Sequence, residues 1–270
     1  MSKKKQTGPK VLLLDIETSP ILAHVWGLWE NNVALNQIER EWFVLSWSAK
    51  WLGSPESEIM YADQRNAKDI EDDSGILKKI WKLLDEADVV VGQNSKKFDI
   101  KKLNARFIMH GFQPPSSFKQ IDTLSLAKKY FFFTSNKLEW MSGKLCKKYK
   151  KLVDKKFPGF TLWTECLKKN QAAFKEMERY NKLDVLSLEE LYNRLIPWDG
   201  NNTVNFNLYN NSSDYVCKCG STELKRNGYA YTSSSKFQRY KCKSCGAESR
   251  DNKNLLTKDK KEFLKRGTSR

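Results

Sequence analysis

Five side chains spread over most of the first 200 residues are of types that could form one chemical site. They are Asp15 and Glu17 in VLLLDIETSP, Asp99 in VVVGQNSKKFDIKKL, and Tyr180 with Asp184 in ERYNKLDVLSLEEL. Carboxylates gathered without a basic partner repel one another and persist as anions only around divalent cations. Hard oxygen ligands suit Mg²⁺ or Mn²⁺, and two such ions about 3.5–4 Å apart activate a water and stabilise both the attacking and the leaving oxygen of an in-line displacement. A bridging carboxylate draws the ions together, and a phenol at the edge of the site orients the water toward phosphorus. The set reads as a two-metal phosphodiesterase site.

Such a site needs elements that aim these residues at one place. VLLLD is a continuous apolar run ending in acid, the pattern of a central strand, and residues i and i+2 of a strand share a face, so Asp15 and Glu17 project together. VWGLW (25–29), FVLSWSAKW (43–51) and EIMYA (58–62) are aromatic or β-branched and suit two or three further strands, antiparallel to the first in a meander. Apolar residues at 76, 77, 80, 83 and 84 follow the helical period, VVVG (89–92) reads as a second buried strand, and a helix is expected from about Phe98 to His110. Asp99 opens that helix at the carboxyl end of the sheet, where α/β proteins place ligands. Between 113 and 170 the pattern is weak; Pro114-Pro115 makes a stop and Ile121-Asp122-Thr123 ends or caps an element. From Gln171 to Leu195, Met177, Tyr180, Asp184, Leu188 and Leu191 fall on one helical face, which puts Tyr180 one turn from Asp184. The order β-β-β-α-β-α is that of a ribonuclease-H-like mixed α/β sheet.

D-I-E-T, then N-S-K-K-F-D, then Y-x-x-x-D, in this order and at these separations, resemble motifs I, II and III of the DEDD-type 3′-to-5′ exonucleases. These form the DnaQ-like branch of the ribonuclease-H-like fold, which includes the proofreading domains of family B polymerases. The resemblance covers about residues 10 to 198. It implies Asp15, Glu17, Asp99 and Asp184 as the ligands of two Mg²⁺ or Mn²⁺, with Asp15 as the bridge. It also implies Tyr180 as the water-positioning residue and Asn94 as a nucleic-acid contact. The histidine subtype would need His where this chain has Arg179, and the only histidines are His24 and His110, so the tyrosine (DEDDy) subtype is indicated. Many relatives carry His where this chain has Gln93, which leaves the ligands untouched. Asp122 resembles a recurring Asp-Thr of the family, though a helix cap serves it equally. Phe131 to Phe133 suit either stacking on a terminal base or core packing.

The 270 residues carry a net charge of +16, unevenly spread. Residues 1–200 hold 33 basic and 26 acidic side chains, a net +7, and residues 201–270 hold 15 and 6, a net +9 in a much shorter stretch. Such an excess favours a polyanion, because each phosphate neutralised releases counterions. A single-stranded nucleic-acid 3′ end is the expected partner. No basic amphipathic helix of useful length suggests a membrane surface, and no segment approaches the roughly 18 apolar residues of a membrane span. MSKKKQTGPK is basic like a signal-peptide n-region, but only Val11 to Leu14 follow before Asp15, so a soluble cytoplasmic protein is expected. The residues themselves say nothing of oligomeric state. All nine tryptophans lie in the first 200 residues, and IPWDGNNTVNFNLYNNSSD reads as a linker. The expected organisation is a basic extension (1–10), a catalytic domain (11–198), a linker (199–213), a cysteine module (214–250) and a basic tail open to disorder (251–270).

That module pairs Cys217 with Cys219 and Cys242 with Cys245, with 22 residues between the pairs, a glycine after each, and strand-like alternation between. The arrangement resembles a zinc ribbon of the kind found in transposases, with four thiolates around one structural Zn²⁺ supplying the stability that so short a segment lacks. Its first pair is C-x-C rather than C-x-x-C, and disulfides are the competing use of the four cysteines. Cys146 and Cys166 read as ordinary thiols. Lys225, Arg226, Tyr229, Lys236, Arg239 and Lys241 mix charge with aromatic surface and are the expected nucleic-acid contacts; the alternative is that the aromatics, with Tyr231, Phe237 and Tyr240, form the ribbon's small core. The expectation is a metal-dependent exonuclease releasing nucleoside 5′-monophosphates. A non-catalytic nucleic-acid-binding module on a nuclease scaffold and a structure-specific endonuclease with the same carboxylates are the alternatives, and DNA and RNA are not distinguished.

Overall fold

Four aliphatic residues, fully or almost fully buried, begin β1 (Val11–Thr18), the middle strand of a five-stranded sheet. The computed structural model describes residues 8–149, 156–200, 204–209 and 214–264. The chain divides into two units, Lys10–Arg194 and a second made of Leu195–Arg270 with Met1–Pro9.

In the larger unit, β2 (Leu22–Ala23) and β3 (Ile38–Arg40) pair only with each other. β4 (Val44–Trp51) and β5 (Met60–Asp63) complete the antiparallel meander. After α1 (Ser74–Glu86), β6 (Val89–Gly92) lies parallel to β1; after α2 (Asp99–Met109), β7 (Lys119–Asp122) lies parallel to β6. The sheet order is β5-β4-β1-β6-β7. α3 (Thr123–Tyr130), α4 (Leu138–Leu145), α5 (Thr161–Leu167) and α6 (Gln171–Leu195) follow. This is the ribonuclease-H-like mixed architecture expected from the element order.

Each face of the sheet has its own core. Leu12, Leu14 and Ile16 alternate onto one face, where Ile76, Leu77, Ile80 and Leu84 of α1 and Ile100, Leu103 and Phe107 of α2 cover them. A second cluster sets Phe43 and Leu45 against Leu162 and Cys166 of α5 and Ala173, Phe174 and Met177 of α6. A fully buried leucine contributes about 1.5–3 kcal/mol, so these two clusters dominate the unit's stability. Asp73, completely buried, ties the first layer together: it accepts the Val44 N–H at 2.7 Å and both Nε and Nη2 of Arg106 at 2.8 Å.

Two of the three candidate segments form strands and give the expected meander. VWGLW lies outside the sheet, with Trp26 wholly exposed, because no strand edge pairs with it and Glu30 turns the chain at φ +52°.

The smaller unit holds β8 (Leu224–Thr232), β9 (Ser235–Cys242) and β10 (Glu248–Arg250) in the order β10-β9-β8. Within the basic tail, residues 251–264 have structure, and residues 265–270 lie outside the described residues. Asp251 and Leu255 donate their N–H groups to Gln238 and Lys236 at 2.9 and 2.7 Å, and Asn254 accepts from the Lys236 N–H. A short helix, α7 (Lys258–Glu262), follows. Among the described residues no helix is long and apolar enough to cross a membrane.

Candidate active site

Alternation along β1 commits Leu14 and Ile16 to the helix-covered core and leaves Asp15 and Glu17 on the opposite face. There they meet α6. Asn181, fully buried on that helix, donates from Nδ2 to Asp15 Oδ2 at 2.5 Å and to the Asp15 carbonyl at 3.4 Å, while its Oδ1 accepts from Ser46 Oγ at 3.4 Å. Asp184, three residues further along α6, is buried and completes the group: an oxygen from each of Asp15, Glu17 and Asp184 lies within 4.8 Å of the others. Elsewhere on α6, Glu178 binds Lys182 of the same helix at 2.6 Å and Arg65, which follows β5, at 2.5 Å. Three hard anionic donors this close fit a divalent cation of the Mg²⁺ or Mn²⁺ type.

Asp99 stands beside this group and is not one of its three members. At the first position of α2 it is buried, and its Oδ1 accepts the N–H of Ile16, the residue between Asp15 and Glu17, at 3.1 Å. Burial pushes its carboxyl up to about 7, with repulsion from Asp122 adding to the effect and the Ile16 N–H opposing it. A divalent cation in contact would draw it back to the ionised form.

The loop ahead of Asp99 is tightly constrained. A Cβ on Gly92 would stand 2.4 Å from that of Ser95 and 3.3 Å from the Leu14 carbonyl, so only glycine fits. Asn94 follows with φ +63°, a conformation that asparagine tolerates, and its N–H is held by Asp122 at 2.9 Å. Asp122 also accepts from Leu124 and Ser125 N–H, which makes it the N-cap of α3. Gln93 takes a structural place, accepting from Thr123 Oγ1 at 2.5 Å and donating to the Asn136 carbonyl at 2.9 Å.

Tyr180 precedes Asp184 by one turn of α6. Its ring meets Trp163 edge-on at 6.0 Å and packs at the margin of the Phe43–Met177 cluster, so the half-buried phenol is held in a fixed place. Phe131 and Phe133 stack on each other at 4.9 Å, leaving Phe132 fully exposed. Sequence reasoning missed Asn181. Its one signal is its place on α6 between Tyr180 and Asp184, which carries no chemistry of its own.

A family model of the RNase H superfamily matches residues 51–196, more than half of the chain. The chain belongs to the RNase H superfamily. The matched span includes Asp99, Tyr180 and Asp184 and begins after β1, the strand that bears Asp15 and Glu17. Among solved structures, the family B DNA polymerase from the hyperthermophilic archaeon Pyrobaculum calidifontis is similar, with a TM-score of 0.50 and 15% identity over 73% of this chain and 26% of that one. That likeness is one of fold, and the chain spans about a quarter of the polymerase's length. No curated protein matches. Superfamily membership and the acidic triad together support nuclease chemistry in general terms.

This RNase H superfamily chain carries a second cluster of metal-ligand type. The Sγ atoms of Cys217, Cys219, Cys242 and Cys245 lie within 4.8 Å of one another. Cys217 and Cys245 are 3.5 Å apart and Cys219 and Cys242 3.7 Å. Disulfide sulfurs stand about 2.05 Å apart, so these four are thiols; sulfurs around a tetrahedral Zn²⁺ at about 2.3 Å stand ~3.8 Å apart, which they nearly match. The short C-x-C pair reaches this geometry because Gly220, at φ +85°, reverses the chain and returns its N–H to Cys217 O at 2.7 Å, as Gly246 does to Cys242 O at 3.0 Å. Burial raises the Cys219 thiol to about 11, whereas at Cys242 burial is outweighed by the Cys245 and Ser244 N–H groups and the thiol falls to about 7. Cys146 and Cys166, by contrast, are raised by burial to about 11 and about 12 and remain protonated.

The residues expected to touch nucleic acid are divided. Lys225, Arg226 and Lys241 are exposed, and Lys236 lies 3.8 Å above the exposed ring of Tyr229. Arg239 is engaged by the ribbon itself, donating to the Asn227 carbonyl at 2.8 Å and pairing with Glu248 at 3.6 Å. Phe237 is buried beneath Arg250, and Tyr240 stacks on Tyr215.

Proposed function

We propose that this protein is a metal-dependent 3′-to-5′ exonuclease of the DEDDy type, removing nucleoside 5′-monophosphates one at a time from single-stranded 3′ ends. One observation carries the reading: residues 169 positions apart in sequence, Asp15 and Asp184, meet with Glu17 around a point that suits a divalent cation, with Tyr180 one turn away. Asp15, Glu17 and Asp184 hold the metals, and Asp99, beside the Ile16 N–H, joins them as fourth carboxylate. When bound, two Mg²⁺ or Mn²⁺ ions supply an activated water and stabilise charge on the attacking and leaving oxygens. Asn181 fixes the Asp15 carboxylate in place. The Tyr180 phenol accepts a hydrogen bond from the attacking water and aligns it with the terminal phosphorus. The four cysteines hold one structural Zn²⁺, and the ribbon binds the same polymer through Lys225, Arg226, Tyr229, Lys236 and Lys241.

The test uses 3′-labelled, 5′-labelled and circular single-stranded DNA and RNA with Mg²⁺, Mn²⁺ or chelator. Linear strands shorten from the 3′ end to monophosphates while circles stay intact, and Asp15→Ala or Asp184→Ala abolishes this while Tyr180→Phe lowers it less. Unchanged turnover in Asp184→Ala, or cleavage of circles, overturns the assignment.

A further inference from the structure

Between β1 and β4 the chain leaves the sheet for 23 residues, Pro20 to Trp42, and the departure is a built arm. Its base is closed by two bonds of 2.9 Å, from Ser19 N–H to the Phe43 carbonyl and from Phe43 N–H to Ser19 Oγ. The β2–β3 ladder pairs Leu22 with Arg40 and Ala23 with Ile38, and the His24 N–H reaches the Gln37 carbonyl at 2.9 Å. The Gln37 side chain braces the tip, accepting from Ala34 N–H at 2.8 Å and donating to the His24 carbonyl at 3.0 Å. Beyond these bonds the tip turns apolar groups to water: Trp26 is 100% exposed, Leu28 88%, Trp29 87% and Leu35 87%. Single exposed apolar side chains need no account, but four large ones on one ordered projection mark a binding surface.

Position and charge indicate the occupant. The arm leaves the sheet two residues after Glu17, so Trp26 lies at most ~30 Å from the carboxylates. Its root packs on the start of α2, where Lys102 Nζ sits 3.4 Å above the Trp42 ring and 5.7 Å from that of Phe98. Lys96 and Lys97, in the turn just before α2, and Lys101, in its first turn, are exposed and form no ion pair among the described residues. From His24 to Gln37 the arm has no Lys or Arg and one acid, Glu30. It is therefore unsuited to phosphates, whereas the lysines beside its base suit them. Indole faces stack on any base, and this arm presents two.

Building on the exonuclease reading, we infer that the arm is a nucleobase-stacking element, in which Trp26 and Trp29 hold unpaired bases of the substrate strand while its phosphates lie against the lysines at the start of α2. Binding of a fluorescein-labelled single-stranded 20-mer, as DNA and as RNA, is measured by anisotropy over a salt series in the full chain carrying Asp184→Asn. Adding Trp26→Ala and Trp29→Ala together weakens Kd about tenfold or more, while the slope of log Kd against log salt is unchanged, because stacking releases no counterions. Trp26→Phe with Trp29→Phe recovers most of the loss. In the chain with Asp184 intact, the alanine pair leaves hydrolysis of the p-nitrophenyl ester of thymidine 5′-monophosphate unchanged, since that substrate has no strand to stack. An unaltered Kd, as for an arm that docks a protein, overturns the inference, as does a slope that falls with the affinity or a failure of the parent chain to bind. Should the Asp184→Asn chain bind while the chain with Asp184 intact cleaves no oligonucleotide, the exonuclease reading fails while the binding comparison still decides the arm.

Discussion

The two metal-ligand clusters of this chain are built in opposite ways. The carboxylates come from β1 and α6, with Asp99 of α2 beside them, and stand on a sheet with extensive buried cores on which their geometry already depends. The thiols come from a stretch of 29 residues, and the buried cluster around them consists of Cys217, Cys242 and Ala247, with Cys219, Leu224 and Cys245 at its edge. In the larger unit the core positions the carboxylates, whereas in the smaller one the proposed zinc must hold the core. With the proposed metals bound, losing the ion would cost the first site its chemistry and the second its fold.

The sharpest way to break that contrast is to remove the metals. A zinc-selective chelator at neutral pH, with thiols kept reduced, should abolish amide-exchange protection across β8–β10 and leave β1–β7 protected, as followed by hydrogen-exchange mass spectrometry; dialysis against Mg²⁺-free buffer should change neither. A ribbon still protected without zinc would reverse the assignment of cause. Next in size, Asn181→Ala frees the Asp15 carboxylate to move, and a partner that orients a metal ligand is typically worth 10–100-fold, so Mn²⁺ affinity and turnover should fall by about that factor with the melting temperature little changed. Loss of folding instead would make Asn181 a core residue only.

The smallest effect concerns Asp99. Its carboxyl is raised from 3.8 to about 7 by burial, so the folded state favours the neutral form, and ionisation costs stability progressively as pH rises between those values. Asp99→Asn keeps an acceptor for the Ile16 N–H and removes that cost. In metal-free protein the variant should melt several degrees higher at pH 8, reflecting at most about 4 kcal/mol, and no higher at pH 4. Saturating Mn²⁺ should cancel the gain, because the wild-type carboxylate then has a cation. Equal melting points at pH 8 would show that Asp99 is not held in a costly state.

Much of this was readable from local pattern. The run VLLLD announces β1 because four consecutive aliphatics ending in acid suit a strand buried on both sides, and the three- and four-residue spacing from Met177 to Leu191 announces α6. VWGLW stayed ambiguous because aromatic and β-branched residues also suit an exposed surface, and strand propensity becomes a strand only where an edge is free to pair. Asn181 was invisible because its role consists of one hydrogen bond to a residue 166 positions away. The tail after Arg250 was read from its charge, which conceals the backbone groups that bind β9.

The sequence by itself determined which atoms are available and which of them share a face: Asp15 with Glu17 through the two-residue period of a strand, Tyr180 with Asp184 through the helical turn, and the four thiols through their closeness along the chain. The tertiary structure alone decided that Asp184 rather than Asp99 closes the group with Asp15 and Glu17, that Asn181 holds Asp15, and that the tryptophan arm leaves the sheet beside them. Backbone periodicity is local and survives in the order of residues. The distance between elements more than 80 residues apart is set only when their apolar faces pack.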